Sequence, residues 1–213
     1  MPIKAVVFDM DGVLVDSMRY HVIAWQRAFR PIGLSIPARE VYAREGESWR
    51  KSTKDFLLMA GRRPSKALID EIFSYRCRIF EKIFKPRIFS GVKSLLALVD
   101  KAGLKLALVT ATPYKDVKKM LPADILRFFD AMVCGGDTKR GKPHPEPYLR
   151  ALKLLKIKPA DTVVIENAPY GIKSCKLAGI KCVAVSTSLP RKYLKGADIV
   201  VDSLKKVKGA IFL

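Results

Sequence analysis

Short runs of branched aliphatic residues recur along the chain, and most are separated by enough residues for one helix. Four stand out: AVVF (5–8), LALV (106–109), TVVI (162–165) and CVAV (182–185). AMVC (131–134) is a fainter fifth, and DIVV (198–201) is a sixth candidate. Each is of strand length and lacks polar alternation, the pattern of parallel strands covered on both faces. Helix signals fill the intervals. SGVKSLLALVDKAG opens on Ser90 as a cap and stops at Gly103; TPYKDVKKML offers Thr112 as a cap with Pro113 in the first turn; NAPYGIKSCKLAG has Asn167 as a candidate cap and Gly179 as a stop. Strand alternating with helix predicts the α/β class, with a doubly wound parallel sheet.

One interval breaks this rhythm. About a hundred residues separate the first run from the second, far more than the dozen or so a single crossover needs. The interval reads as helix: MRYHVIAWQRAF before Pro31 and Gly33, WRKSTKDFLLMAG ending at Gly61, and SKALIDEIFSYRCRIFEKIF ending before Pro86. The expected organisation is a helical cap, residues 17–88, inserted after the first strand of an α/β core formed by residues 1–16 and 89–213. For the final KKVKGAIFL, docking on the core and a free tail both stay open.

Composition narrows the function. The chain has 213 residues, 49% hydrophobic and 28% charged, ordinary for a globular protein with a real core. No apolar run approaches the ~20 residues that span a bilayer, and MPIK leads straight into a short strand without a signal-peptide layout. A cytoplasmic protein without membrane attachment is expected. Four cysteines with no C-x-x-C pair, and two histidines, argue against a zinc site or a disulfide scaffold. The net charge of +20 attracts anions, but it is spread: residues 17–88 hold 16 basic and 7 acidic side chains, the rest 24 and 13. Without a basic arm, this reads as a solvated basic surface rather than a dedicated nucleic-acid site.

Polar residues stand where the apolar runs stop. Asp9 follows AVVF, Thr110 follows LALV, Glu166 follows TVVI, and Asp137 lies just beyond AMVC. Open parallel sheets bind ligands outside the carboxyl ends of their strands, so these residues are expected at one edge. Asp9, Asp11 and Glu166 are hard oxygen ligands that would otherwise repel, so Mg²⁺ is the natural counter-ion. The Thr110 hydroxyl, the Ala111 N–H at the start of a helix, and Lys142 in RGKPHPEPY are suited to a phosphoryl group. Carboxylate, metal, lysine, hydroxyl and amide together form a phosphoryl-transfer constellation.

The same residues carry a family resemblance over nearly the whole chain. DMDGVLVDS resembles the first motif of the haloacid dehalogenase superfamily, D-x-D-G-x-[LV]; Thr110 resembles the second, Lys142 in GKPHPEP the third, and VVIENAPYGI the fourth. The resemblance implies that Asp9 is a nucleophile forming an aspartyl-phosphate and that Asp11 is the general acid and base. It also implies that the Asp11 main-chain carbonyl binds Mg²⁺, alongside Asp9, Glu166 and Asn167. Dehalogenases of the superfamily lack the second aspartate, so Asp11 argues against halide chemistry. Asn167 departs from the usual pair of acids in the fourth motif; an amide oxygen still ligates Mg²⁺, with one negative charge fewer.

Within the superfamily, DSMRYHVIAW resembles the β-phosphoglucomutase group at Tyr20, His21, Ala24 and Trp25. His21 and Trp25, four apart on one helix face, are candidate cap contributors, and the group's histidine reaches toward the acid/base. The mutases also carry a serine–arginine pair for the substrate's distal phosphate. Here Ser48 is followed by Trp49, with Arg50 one place late and Lys51 after it. One residue turns a helical side chain by about 100°. GDTKRGKPHPEPYL resembles the loops of phosphatases in the same subgroup. The expected function is therefore a Mg²⁺-dependent phosphatase of small phosphorylated metabolites, a monomer being compatible with the sequence. A β-phosphoglucomutase-type transfer is the alternative, and a non-catalytic basic nucleic-acid-binding protein the remote one.

Overall fold

The computed structural model describes residues 2–212. Six parallel strands form one sheet: β1 (Ala5–Phe8), β2 (Lys105–Val109), β3 (Ala131–Val133), β4 (Thr162–Glu166), β5 (Lys181–Val185) and β6 (Ile199–Val201), in the order β3-β2-β1-β4-β5-β6. All six apolar runs are strands, the two fainter ones shortened by a residue. The Asp137 carboxylate accepts from the Cys134 N–H at 2.8 Å, which turns the chain out of β3. The Asp198 carboxylate accepts from the Cys182 N–H at 2.7 Å, so Asp198 precedes β6 rather than opening it. Asp137 thus holds its own turn.

The described residues also form ten α-helices: α1 (Met18–Phe29), α2 (Ala38–Ala43), α3 (Trp49–Met59), α4 (Lys66–Ile83), α5 (Val92–Lys101), α6 (Tyr114–Met120), α7 (Ala123–Leu126), α8 (Glu146–Leu155), α9 (Pro169–Leu177) and α10 (Leu204–Ile211). Successive strand residues point to opposite faces. Val6 and Phe8 pack with buried residues of α5 and α10, and Val7 packs with those of α8 and α9. Helix α10, from the segment left open above, docks through Leu204, Val207, Ala210 and Ile211. Helices α1 to α4 enclose a separate cluster that includes Trp25, Phe29, Phe56, Leu57 and Ile72. Full burial of such side chains is worth about 1.5–3 kcal/mol each, so this segment has a core of its own. None of the described helices is long and apolar enough to cross a membrane.

Three cap expectations are corrected. Helix α5 starts behind Gly91, whose φ of +92° turns the chain, and it has no side-chain cap from Ser90. Helix α6 starts behind Pro113, because the Thr112 hydroxyl donates to Asp11 Oδ2 instead, at 3.1 Å. Helix α9 starts behind Ala168, because the Asn167 side chain donates to Ser188 Oγ at 2.9 Å.

Candidate active site

The ends of β1, β2 and β4 sit side by side, Phe8 paired with both Leu108 and Ile165. Asp9, Thr110 and Glu166 therefore leave the sheet at one edge, all buried. Lys142 reaches them from the loop before α8. Its Nζ donates to Asp9 Oδ1 and to Glu166 Oε1, each at 2.6 Å, with the Val109 carbonyl at 3.4 Å. Burial disfavours the lysine's charge, yet Asp9 and Glu166 outweigh it and hold its pKa above the ordinary value. Asp9 moves the other way. Burial is the largest influence; with the charges of Glu166 and Asp11 it outweighs Lys142 and lifts the pKa from 3.8 to about 8.

Glu166 is fully engaged. Oε1 accepts from Lys142 and from the Tyr148 hydroxyl at 2.7 Å; Oε2 accepts from the N–H groups of Asn167 and Ala168, at 2.8 and 3.2 Å. Four donors match the four lone-pair directions of a carboxylate. The helix beside it must be bare at one point: a Cβ on Gly171 would stand 1.7 Å from Glu166 Oε1.

Asp11 carries a different network. Its Oδ1 accepts from Ser17 Oγ at 2.5 Å and lies 3.0 Å from His21 Nε2; Thr112 Oγ1 reaches Oδ2 at 3.1 Å, with Thr110 Oγ1 at 3.5 Å. Burial pushes its pKa up, but His21 and the hydroxyls prevail and hold it below the ordinary value. Arg76 of α4 donates to His21 Nδ1. A guanidinium is donor only, so Nδ1 accepts and Nε2–H donates to Asp11. Burial, and then Arg76, lower the His21 pKa against the pull of Asp11, which fits a neutral imidazole. The ring stacks on Phe80 at 4.4 Å.

A cavity of about 970 Å³ lies between the segment of helices α1 to α4 and the strand ends. Asp11, Thr110, Ala111 and Lys142 line it from the sheet side, and His21, Trp25, Glu45, Trp49, Arg50 and Arg76 from the helical side. Asp9 is not among the lining residues; it is bonded to Lys142, which is. The structure thus brings Asp9, Asp11, Thr110, Ala111, Lys142, Glu166, His21 and Trp25 together. Arg50 lines the cavity, its guanidinium 3.7 Å from Asp70 and stacked on Trp49 at 4.0 Å. Lys51 does not line it: its ammonium pairs with Glu47 and Asp55 at 3.0 and 2.7 Å. Sequence reading gave no role to Tyr148, Ser17, Arg76 or Glu45. Ser17 and Tyr148 lie inside the quoted motifs; Arg76 and Glu45 had no local signal.

Fit to a metal is tested by acceptors without partners. Asp9 Oδ2 and Asn167 Oδ1 are buried and have no hydrogen-bond donor. Two orphaned oxygens beside Asp11 fit a hard cation that completes its shell with water and main-chain carbonyls. Glu166, already saturated, offers it charge rather than a free lone pair.

The family model of haloacid dehalogenase-like hydrolases matches residues 6–185. A phosphorylated carbohydrates phosphatase from Thermotoga maritima is 32% identical over 186 residues, 84% of this chain and 82% of that protein. A β-phosphoglucomutase from Bacillus subtilis is 29% identical, covering 93% and 88%. The crystal structure of a β-phosphoglucomutase from Clostridium difficile superposes with a TM-score of 0.85 at 28% identity, covering 96% and 93%. The chain belongs to the haloacid dehalogenase-like hydrolase family, among its phosphoryl-transferring enzymes.

Proposed function

We propose that the enzyme is a Mg²⁺-dependent phosphatase of small phosphomonoesters, sugar phosphates or similar compounds, with residues 17–88 as a cap over a core of 1–16 and 89–213. One observation carries this reading: Lys142 Nζ sits 2.6 Å from both Asp9 and Glu166 beneath a cavity that Asp11 also lines.

In the first step an Asp9 carboxylate oxygen attacks phosphorus, the P–O bond to the leaving group breaks, and Asp11 gives that oxygen its proton. Asp11 is ionised in the free site, so its proton arrives with the substrate, whose negative charge favours the protonated form. Asp11, again a carboxylate, then takes a proton from water as that water attacks the phosphoryl group on Asp9; the P–O bond to Asp9 breaks and inorganic phosphate leaves. Lys142 compensates the charge that collects on the phosphoryl oxygens, and Thr110 and Ala111 supply a hydroxyl and an N–H. His21, locked by Arg76 with its Nε2–H toward Asp11, orients the acid/base.

Asp9 Oδ2, Asn167 Oδ1 and the Asp11 carbonyl would hold Mg²⁺, with Glu166 beside it. When bound, the ion neutralises charge between the carboxylate nucleophile and the phosphate. The one-residue displacement of Arg50, whose guanidinium lies on Trp49 and near Asp70, favours hydrolysis over mutase transfer, which must also grip a second phosphate. The test is incubation with Mg²⁺ and either an aryl phosphate or β-glucose 1-phosphate with a trace of the bisphosphate. Free phosphate is expected; glucose 6-phosphate without net phosphate release would make the enzyme a mutase.

A further inference from the structure

The loop that leaves β5 reaches back to the turn after Asp11. Thr187 Oγ1 donates to the Gly12 carbonyl, and Ser188 Oγ accepts from Asn167 Nδ2 at 2.9 Å. Gly12 leaves room for this approach: its φ is +83°, and a Cβ on it would stand 2.0 Å from Asn167 Nδ2 and 2.7 Å from Ser188 Oγ. Asn167 is fully buried, so each end of its amide needs a partner inside the protein. Nδ2 has Ser188; Oδ1 has no donor.

We propose that Ser188 is a positioning residue for the metal ion: by accepting from the amide of Asn167, it keeps Oδ1 available as the ligand. This rests on the Mg²⁺-dependent reading and deepens it.

The grounds lie in what an asparagine lacks. The oxygens of an aspartate are alike, and either ligates a cation. An asparagine has one acceptor end and one donor end, and only the acceptor end ligates. The donor end has its own attraction to the site. Asp9 Oδ2 is a buried acceptor without a donor, and N–H groups bond strongly to carboxylates. An acceptor on the other side opposes that turn. Ser188 supplies it, from a loop that Thr187 ties to Gly12. Without Ser188, ligation by Oδ1 would leave a buried NH₂ unpaired. A hydroxyl beside an acid at position 167 would donate instead of accept, and would draw on the charge offered to the metal. The effect of the serine on Mg²⁺ therefore changes sign with the residue at 167, which a merely structural bond would not do.

The experiment is isothermal titration of Mg²⁺ into wild type, Ser188→Ala, Asn167→Asp and the double variant, with a melt in EDTA to show that each is folded. Ser188→Ala should weaken Mg²⁺ binding about fivefold in the wild-type background. In the Asn167→Asp background it should leave binding unchanged or tighten it. Ser188→Thr, which keeps the hydroxyl, should bind within about twofold of wild type. If Ser188→Ala fails to fold, Ser188→Cys, a weak acceptor of similar size, is compared in both backgrounds with the same directions expected. Equal loss in both backgrounds, or no loss in the wild-type background, would overturn the proposal while the metal site stands. No Mg²⁺ binding by wild type, with an aryl phosphate hydrolysed equally well in EDTA, would overturn the Mg²⁺ dependence and the proposal with it.

Discussion

Lys142 Nζ lies 2.6 Å from Asp9 Oδ1, and both side chains are almost wholly withdrawn from solvent. The lysine is the cation that two buried carboxylates, Asp9 and Glu166, share. Lys142→Met should therefore destabilise the protein by about 3–5 kcal/mol in denaturant titrations at neutral pH, because it strands the buried Glu166 carboxylate and takes from Asp9 its side-chain donor. Adding Glu166→Gln should recover part of that loss. Phosphate release should fall at least about a hundredfold in the single variant. A fully stable Lys142→Met protein would contradict the shared-cation arrangement.

The pKa of about 8 at Asp9 makes the nucleophile a cost to folding in the absence of metal. The unfolded chain releases this proton near pH 4, whereas the folded chain keeps it until about pH 8. Between those values the native state binds more protons, so stability falls as pH rises through that window. Asp9→Asn removes the effect. In EDTA it should melt higher than wild type by a few degrees at pH 8, on the scale of about 1–3 kcal/mol, and by almost nothing near pH 4. A gain that does not grow with pH would count against the buried, charge-crowded site. Activity should be lost at every pH.

The strand tips were legible because an apolar run of four or five residues ends where its burial ends, and a polar residue there must face the edge. Asp9, Thr110 and Glu166 could be placed that way. Thr112 was read as a helix cap, and Asn167 both as a candidate cap and as a metal ligand, because capping residues and site residues are the same chemical types; only tertiary partners, Asp11 and Ser188, tell them apart. Arg76 and Glu45 were invisible for another reason. Each reaches the site only after the helical segment folds over the sheet, and Arg76 meets His21 across 55 residues of sequence. The one-residue displacement of Arg50 was legible as a displacement, and the structure adds where the side chain goes: onto Trp49 and toward Asp70.

Asn167 offers one orphaned oxygen and no charge. Asn167→Asp should bind Mg²⁺ about tenfold more tightly in isothermal titration, since ligand charge sets affinity at such sites. In EDTA the same variant should melt lower than wild type, having gained a buried carboxylate beside Glu166 and lost the donor to Ser188. Unchanged Mg²⁺ affinity would remove Asn167 from the metal site.

Arg76 lowers the His21 pKa by adjacent positive charge. Arg76→Met should raise it, shifting protonation of the imidazole toward neutral pH. NMR titration reads this directly, because the chain has only two histidines, His21 and His144. An unmoved His21 resonance would separate Arg76 from the Asp11 network.

The central claim is covalent: the phosphoryl group passes through the carboxylate of Asp9. Rapid acid quench of wild-type enzyme turning over a sugar phosphate with Mg²⁺, followed by peptide mass spectrometry, tests it most directly. A single phosphoryl addition on Asp9, absent from Asp9→Asn, is the predicted result. Steady phosphate release with no phosphorylated Asp9 peptide, or turnover retained by Asp9→Asn, would contradict it.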